Sequence, residues 1–130
     1  MYIIIKKIIY LSLFFFSTNL FALTDGQVRV EIKKWADTQD LPQDLDEITS
    51  LLEIKIATRG IVYNYKLKLD QNEIANFPQA FKNIKSKALY SLCEKKELLW
   101  YKENKVEMIY TYVDKNDNLV TIFKIHASQC

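Results

Sequence analysis

Between Ile61 and Leu69 every second residue is apolar: Ile61, Tyr63, Tyr65, Leu67 and Leu69, with Asn64, Lys66 and Lys68 among the residues between them. Side chains alternate across a β-strand, so this run buries one face in a core and turns the other to water. A helix would scatter the same residues around its axis. The chain must therefore hold a sheet with a one-sided core, and the rest of the sequence is read as more of that sheet or its cover. Just upstream, Leu52, Ile54 and Ile56 alternate with Glu53 and Lys55, which predicts a strand over Ile48 to Thr58. Arg59-Gly60 separates the two runs as a turn, since glycine accepts positive φ without steric cost. Together the runs read as a hairpin.

A second hairpin closes the chain. Val106, Met108, Tyr110 and Tyr112 alternate with Glu107, Ile109 and Thr111, and Lys115 to Asn118 forms a polar turn. The last strand places Leu119, Thr121, Phe123 and Ile125 on one face, with Val120, Ile122, Lys124 and His126 on the other. A helix precedes each hairpin. Over Thr24 to Thr38, Val28, Ile32, Trp35 and Ala36 share one face, Thr24 or Asp25 serves as the N-cap, and Leu41-Pro42 opens an acidic linker through Glu47. After the polar stretch Asp70 to Asn76, Phe77, Phe81, Ile84, Ala88 and Leu92 recur at helical spacing, with Pro78 in the first turn. Glu97 to Tyr101 adds a short helical turn. The expected fold is one small α+β domain: a four-stranded, mainly antiparallel sheet of two hairpins, packed with two to three helices.

Residues 1–22 read differently. Lys6 and Lys7 precede an apolar run from Ile8 to Phe16, then Ser17, Thr18 and Asn19 break it and Ala22 offers a small residue for cleavage. This is the layout of a secretory signal peptide. The rival reading, an uncleaved anchor, needs roughly 20 apolar residues, and the run stops well short. The expected organisation is a signal peptide over 1–22 and one periplasmic domain over 23–130, with no membrane span after cleavage. No cysteine lies near the cut, so the segment carries no lipidation signal.

Charge follows from that division. The chain carries 18 basic and 16 acidic residues, a net charge of +2. Both excess charges are Lys6 and Lys7, so residues 23–130 are neutral, and neutrality argues against nucleic acid as a partner. The stretch up to Glu53 is acidic and the remainder is basic. Two solvated surfaces explain this, and so does a basic half that meets an acidic partner.

Export places Cys93 and Cys130 where disulfides persist. Two cysteines allow one intramolecular bridge, closing the loop from residue 93 to the last residue, a constraint of roughly 4 kcal/mol by chain entropy. Intermolecular pairing and a redox couple are the alternatives. The redox couple is the weaker of these, because thiol exchange usually uses closely spaced cysteines.

Little else in the sequence points to chemistry. The chain has only two glycines, Gly26 and Gly60, so it cannot build a glycine-rich phosphate loop. Two cysteines and one histidine do not make a tetrahedral zinc site. Asp114, Asn116 and Asn118 start like an EF-hand loop, but Leu119 and Ile125 stand where glycine and the bidentate glutamate are required, so a hairpin turn is expected. His126 has no nucleophile and orienting acid nearby in the sequence and reads as an exposed strand residue. Asp44, Asp46 and Glu47 are either paired carboxylates or a solvated linker, the latter fitting better. Tyr63, Tyr65, Tyr110 and Tyr112 suit sheet core better than a stacking or peptide-binding face. No catalytic, cofactor-binding or metal-ligating residue is assigned, and the chain is read as not an enzyme.

The second half resembles the AspS-type (GspS-beta) pilotins of bacterial type II secretion. The resemblance lies in Leu89-Tyr90-Ser91-Leu92-Cys93, a following short apolar segment, the strand Val106 to Tyr112, and a polar turn and last strand leading to Cys130. The stretch Leu41-Pro42 with Leu45 to Leu51 also resembles small exported bacterial proteins with the same cysteine pair. The resemblance implies a disulfide between Cys93 and Cys130. It also implies a periplasmic α+β domain that binds the C-terminal tail of an outer-membrane secretin subunit. Typical pilotins of this kind are lipoproteins with a cysteine at the start of the mature chain. This sequence has none, so a soluble chaperone or accessory protein fits its residues better. The expected function is a non-enzymatic, pilotin-like binding protein that holds a secretin peptide, or another envelope protein, in an apolar groove between helix and sheet. A periplasmic inhibitor or immunity-type protein, or an exported domain of structural role, is the alternative.

Overall fold

The computed structural model describes residues 23–130. The signal peptide expected over 1–22 lies outside the described residues. Helix α1, Asp25–Asp37, opens with a capping box: the Gln27 amide donates to Thr24 Oγ1 at 3.2 Å and the Thr24 amide donates to Gln27 Oε1 at 2.9 Å. Val28, Ile32 and Trp35 form its buried stripe, as the spacing predicts.

A two-residue strand, β1 (Gln43–Asp44), follows and pairs with β2 (Thr49–Ala57). It makes the sheet five-stranded where the sequence predicts four. Two residues are too few to show a period, so the segment reads as linker. Strand β2 forms the first hairpin with β3, Gly60–Leu67. A bulge between Leu51 and Glu53 changes the expected facing of β2. Leu51 is buried and Leu52 is exposed, while Ile54 and Ile56 stay on the inner side, opposite Tyr63 and Ile61. One extra residue moves Leu52 out of an alternation that otherwise holds. Gly60 also departs from expectation, because its φ is not positive. A Cβ there would stand 2.9 Å from the backbone oxygen of Glu107. The residue is glycine because a neighbouring strand passes against it, not because the turn needs a left-handed residue.

The polar stretch after β3 holds a helix that the sequence reading missed, α2 (Gln71–Ile74), with its own capping box from Asp70 and Glu73. Helix α3, Ala80–Glu94, starts beyond Pro78 rather than around it. A 3₁₀ turn at Lys96–Leu98 leads to α4, Leu99–Glu103, and the chain then forms β4 (Glu107–Val113) and β5 (Leu119–Ile125). A last 3₁₀ turn spans Ala127–Gln129. The sheet order is β1-β2-β3-β4-β5, antiparallel at every pairing except β3 with β4. The two hairpins thus meet through a parallel central pair, which the long helical connection between them permits.

That central pair sets the core. Register places Tyr63 beside Tyr110, Tyr65 beside Tyr112, and Tyr110 beside Phe123. Their rings stack with centroids 5.1, 4.7 and 4.8 Å apart. Such pairs add about 0.5–1.5 kcal/mol each beyond simple burial. Trp35 of α1 meets Tyr63 edge-on, and Ala88 and Leu92 of α3 complete the cover with Trp100 and Tyr101 of α4. The four tyrosines are core. Arg59 ties the start of the domain to the hairpin. Its guanidinium donates to Asp25 Oδ1 at 2.6 Å, to the Leu23 carbonyl at 2.7 Å and to the Asn104 carbonyl at 2.6 Å. Cys93, near the end of α3, is bonded to Cys130, with Cα atoms 5.5 Å apart. The bridge pins the C-terminus behind β5 to α3. No helix among the described residues is long and apolar enough to cross a membrane.

Candidate functional site

The chemistry-bearing residues of the sequence are scattered, and each has a local structural task. Asp114 Oδ1 accepts from the amides of Asn116 at 2.8 Å and Asn118 at 3.0 Å, and Asp117 takes a left-handed conformation with φ 66°. This is a side-chain-organised hairpin turn, as expected. Asp44 accepts from the Ser50 hydroxyl at 2.6 Å, while Asp46 accepts from the amides of Ile48 and Thr49 at 2.9 and 2.8 Å. The acids of the linker therefore act separately. Among the described residues no cluster of three or more His, Cys, Asp or Glu is placed to hold a metal ion. His126 lies just past the end of β5, not within it. Its Nδ1 accepts from the Ser128 amide at 3.0 Å and its own amide donates to Gln129 Oε1 at 2.7 Å, which caps the last 3₁₀ turn.

Two of these carboxyls give a pH dependence. The Ser50 hydroxyl, followed by Lys68, holds the Asp44 carboxyl below its ordinary value of 3.8. Burial pushes the Asp114 carboxyl up, but the amides of Asn118 and Asn116 outweigh it and the net value also lies below 3.8. The native state binds both protons more weakly than the unfolded chain does. The stability they contribute is fully present above 3.8 and is lost as pH falls through their lowered native values. The urea midpoint is therefore expected to drop below about pH 3.8, and Asp114→Asn should make that acid limb shallower. An unchanged limb in the variant contradicts the assignment.

The feature with the form of a binding site is an apolar groove of about 370 Å³. The sheet side supplies Ile48, Thr49, Leu67 and Leu69, and Tyr112 also lines it. The helical side supplies Ile74 of α2, the connecting Phe77, and Ala80, Phe81 and Ile84 of α3. Asp46 stands at the rim and is exposed. Phe81 packs edge-on against Tyr112, ring centroids 5.1 Å apart. Phe77 is 58% exposed and Ile48 44%, so the groove opens to solvent with large apolar side chains uncovered. Its volume lies within the range of small-ligand and side-chain pockets, about 300–1,000 Å³.

No family model matches the chain, and no curated protein sequence matches it. Solved structures do. A candidate secreted protein of Pseudomonas aeruginosa superposes with a TM-score of 0.68 at 12% identity, covering 85% of this chain and 98% of that one. The EpsS pilotin of the Vibrio vulnificus type 2 secretion system gives 0.60 at 9% identity, over 82% of this chain and 90% of that one. The AspS pilotin of the Vibrio cholerae type II system gives 0.59 at 11% identity, over 82% and 94%. This chain has a pilotin-like fold. At these identities the likeness extends to the fold alone.

A groove between helix and sheet is expected from the sequence, but no pattern in it marks the residues that line the groove. The helical period expected of Phe77, Phe81 and Ile84 holds for Phe81 and Ile84, while Phe77 lies before the helix, which begins at Ala80. Their partial exposure was not legible, because Ile48, Leu67, Leu69 and Ile74 come from three other parts of the chain.

Proposed function

We propose that this chain is a non-enzymatic, pilotin-like accessory protein of the bacterial periplasm, whose groove receives an amphipathic helical segment of a secretin. The observation that carries this reading is the open groove between α3 and the sheet, in a fold shared with two type II secretion pilotins. A helix laying apolar residues into such a groove is a recurring mode of peptide recognition. The export segment expected over 1–22 and the Cys93–Cys130 bridge fit an oxidising compartment. The chain has two cysteines and both are in the bridge, so neither is free to carry a lipid.

Affinity purification from the periplasm with the disulfide intact tests the proposal. Recovery of a secretin is the expected result, and recovery of no secretin or other envelope protein counts against it. Phe77→Ala should separate binding from folding. Partner affinity is expected to fall about tenfold or more, as for an exposed aromatic anchor. The unfolding free energy should stay within about 0.5 kcal/mol of the unaltered protein. Equal affinity in the variant would exclude the Phe77 wall from the interface.

A further inference from the structure

We infer that the groove selects an apolar helix bearing a lysine or arginine, whose cation is received by Asp46 and the Tyr112 hydroxyl of the groove lining. This rests on the docking reading above and adds the chemistry of the occupant.

The first observation is the state of Asp46. Its Oδ1 is engaged by the Ile48 and Thr49 amides, but among the described residues no cation pairs with it. Its neighbours differ: Asp44 has Lys68 at 3.6 Å and Asp70 has Lys115 at 3.9 Å. Asp46 thus presents an uncompensated charge at the rim of an apolar groove, open to a cation carried by the occupant. The second observation is independent. Tyr112 is 1% exposed, lines the groove, and its hydroxyl has no hydrogen-bond partner among the described residues. A buried hydroxyl without a partner is destabilising, and a ligand donor that reaches it removes that cost. Both residues line the same groove. Burial chiefly, then Tyr110 and Asp46, hold the Tyr112 hydroxyl well above its ordinary titration range, so it stays protonated and offers its lone pairs. A carboxylate and a hydroxyl oxygen on one groove match the several N–H donors of an ammonium or guanidinium group. Helix α3 across the groove offers no competing acid beside its lining residues, since its sole acid is Glu94 at its end.

The test uses fluorescein-labelled synthetic amphipathic helices with one shared leucine face, differing at a single flanking position as Arg, norleucine or Glu. The flanking position is placed at either end in turn. Titrated against the full domain with its disulfide intact, the Arg peptide is expected to bind about tenfold tighter than the Glu peptide, as for a charge-assisted hydrogen bond. Asp46→Asn, which keeps an acceptor for the turn, should bring the two within about twofold. Tyr112→Phe should weaken the Arg peptide several-fold and leave the norleucine peptide unchanged. Equal binding of Arg and Glu peptides, both lost in Phe77→Ala, overturns the cation selection and leaves the docking reading standing. An Arg preference that survives Asp46→Asn also overturns it. No binding by any peptide removes the docking reading itself.

Discussion

Replacing Cys93 and Cys130 together by serine is expected to lower the unfolding free energy by roughly 4 kcal/mol. The bridge closes a loop with a sequence separation of 37, and that loop contains α4, both strands of the second hairpin and the C-terminal turn. Small domains hold only about 5–15 kcal/mol in total, so the loss is a large fraction of the whole. The effect reaches the groove because the bridge starts from α3, which forms one groove wall. The paired serine variant should therefore show both a lower urea midpoint and weaker peptide binding, and dithiothreitol should reproduce both on the unaltered protein. A midpoint that moves by less than about 1 kcal/mol equivalent would mean that the loop is already ordered in the unfolded ensemble.

The second large effect lies in the tyrosine stack. Tyr65 is 1% exposed and stacks on both Tyr110 and Tyr112. Tyr65→Ala removes a buried aromatic ring from the middle of the sheet and should cost about 3–5 kcal/mol. Tyr65→Phe should behave oppositely. The Tyr65 hydroxyl is buried without a hydrogen-bond partner among the described residues, so its removal is expected to leave stability unchanged or raise it by up to about 1 kcal/mol. Chemical denaturation of both variants checks the pair. A clear loss in Tyr65→Phe would show that the hydroxyl takes part in a hydrogen bond.

These two sites also show what the sequence makes legible. The stack was visible as period two in Ile61 to Leu69 and in Val106 to Tyr112, because a one-sided core leaves that mark on any strand. The parallel pairing that brings Tyr63 to Tyr110 leaves no local mark. It is a consequence of how two hairpins join through a long helical connection. Leu52 was misplaced because a bulge breaks the alternation without changing composition. Gly60 was placed at the right hairpin for the wrong reason, since a close approach by Glu107 is a tertiary fact. β1 and α2 are too short for a period. The groove was least legible of all: Ile48 and Ile74 lie far apart in sequence and carry no pattern that joins them, and exposure of Phe77 depends on where α3 begins.

The docking reading is tested most directly by photo-crosslinking in living cells. A photoreactive amino acid at Phe77, on the groove, is compared with one at Val30, which is 53% exposed on α1 away from the groove lining. The account predicts a covalent adduct with a secretin, or another envelope protein of the secretion apparatus, from position 77 and not from position 30. An adduct from position 30 with none from position 77 would contradict it.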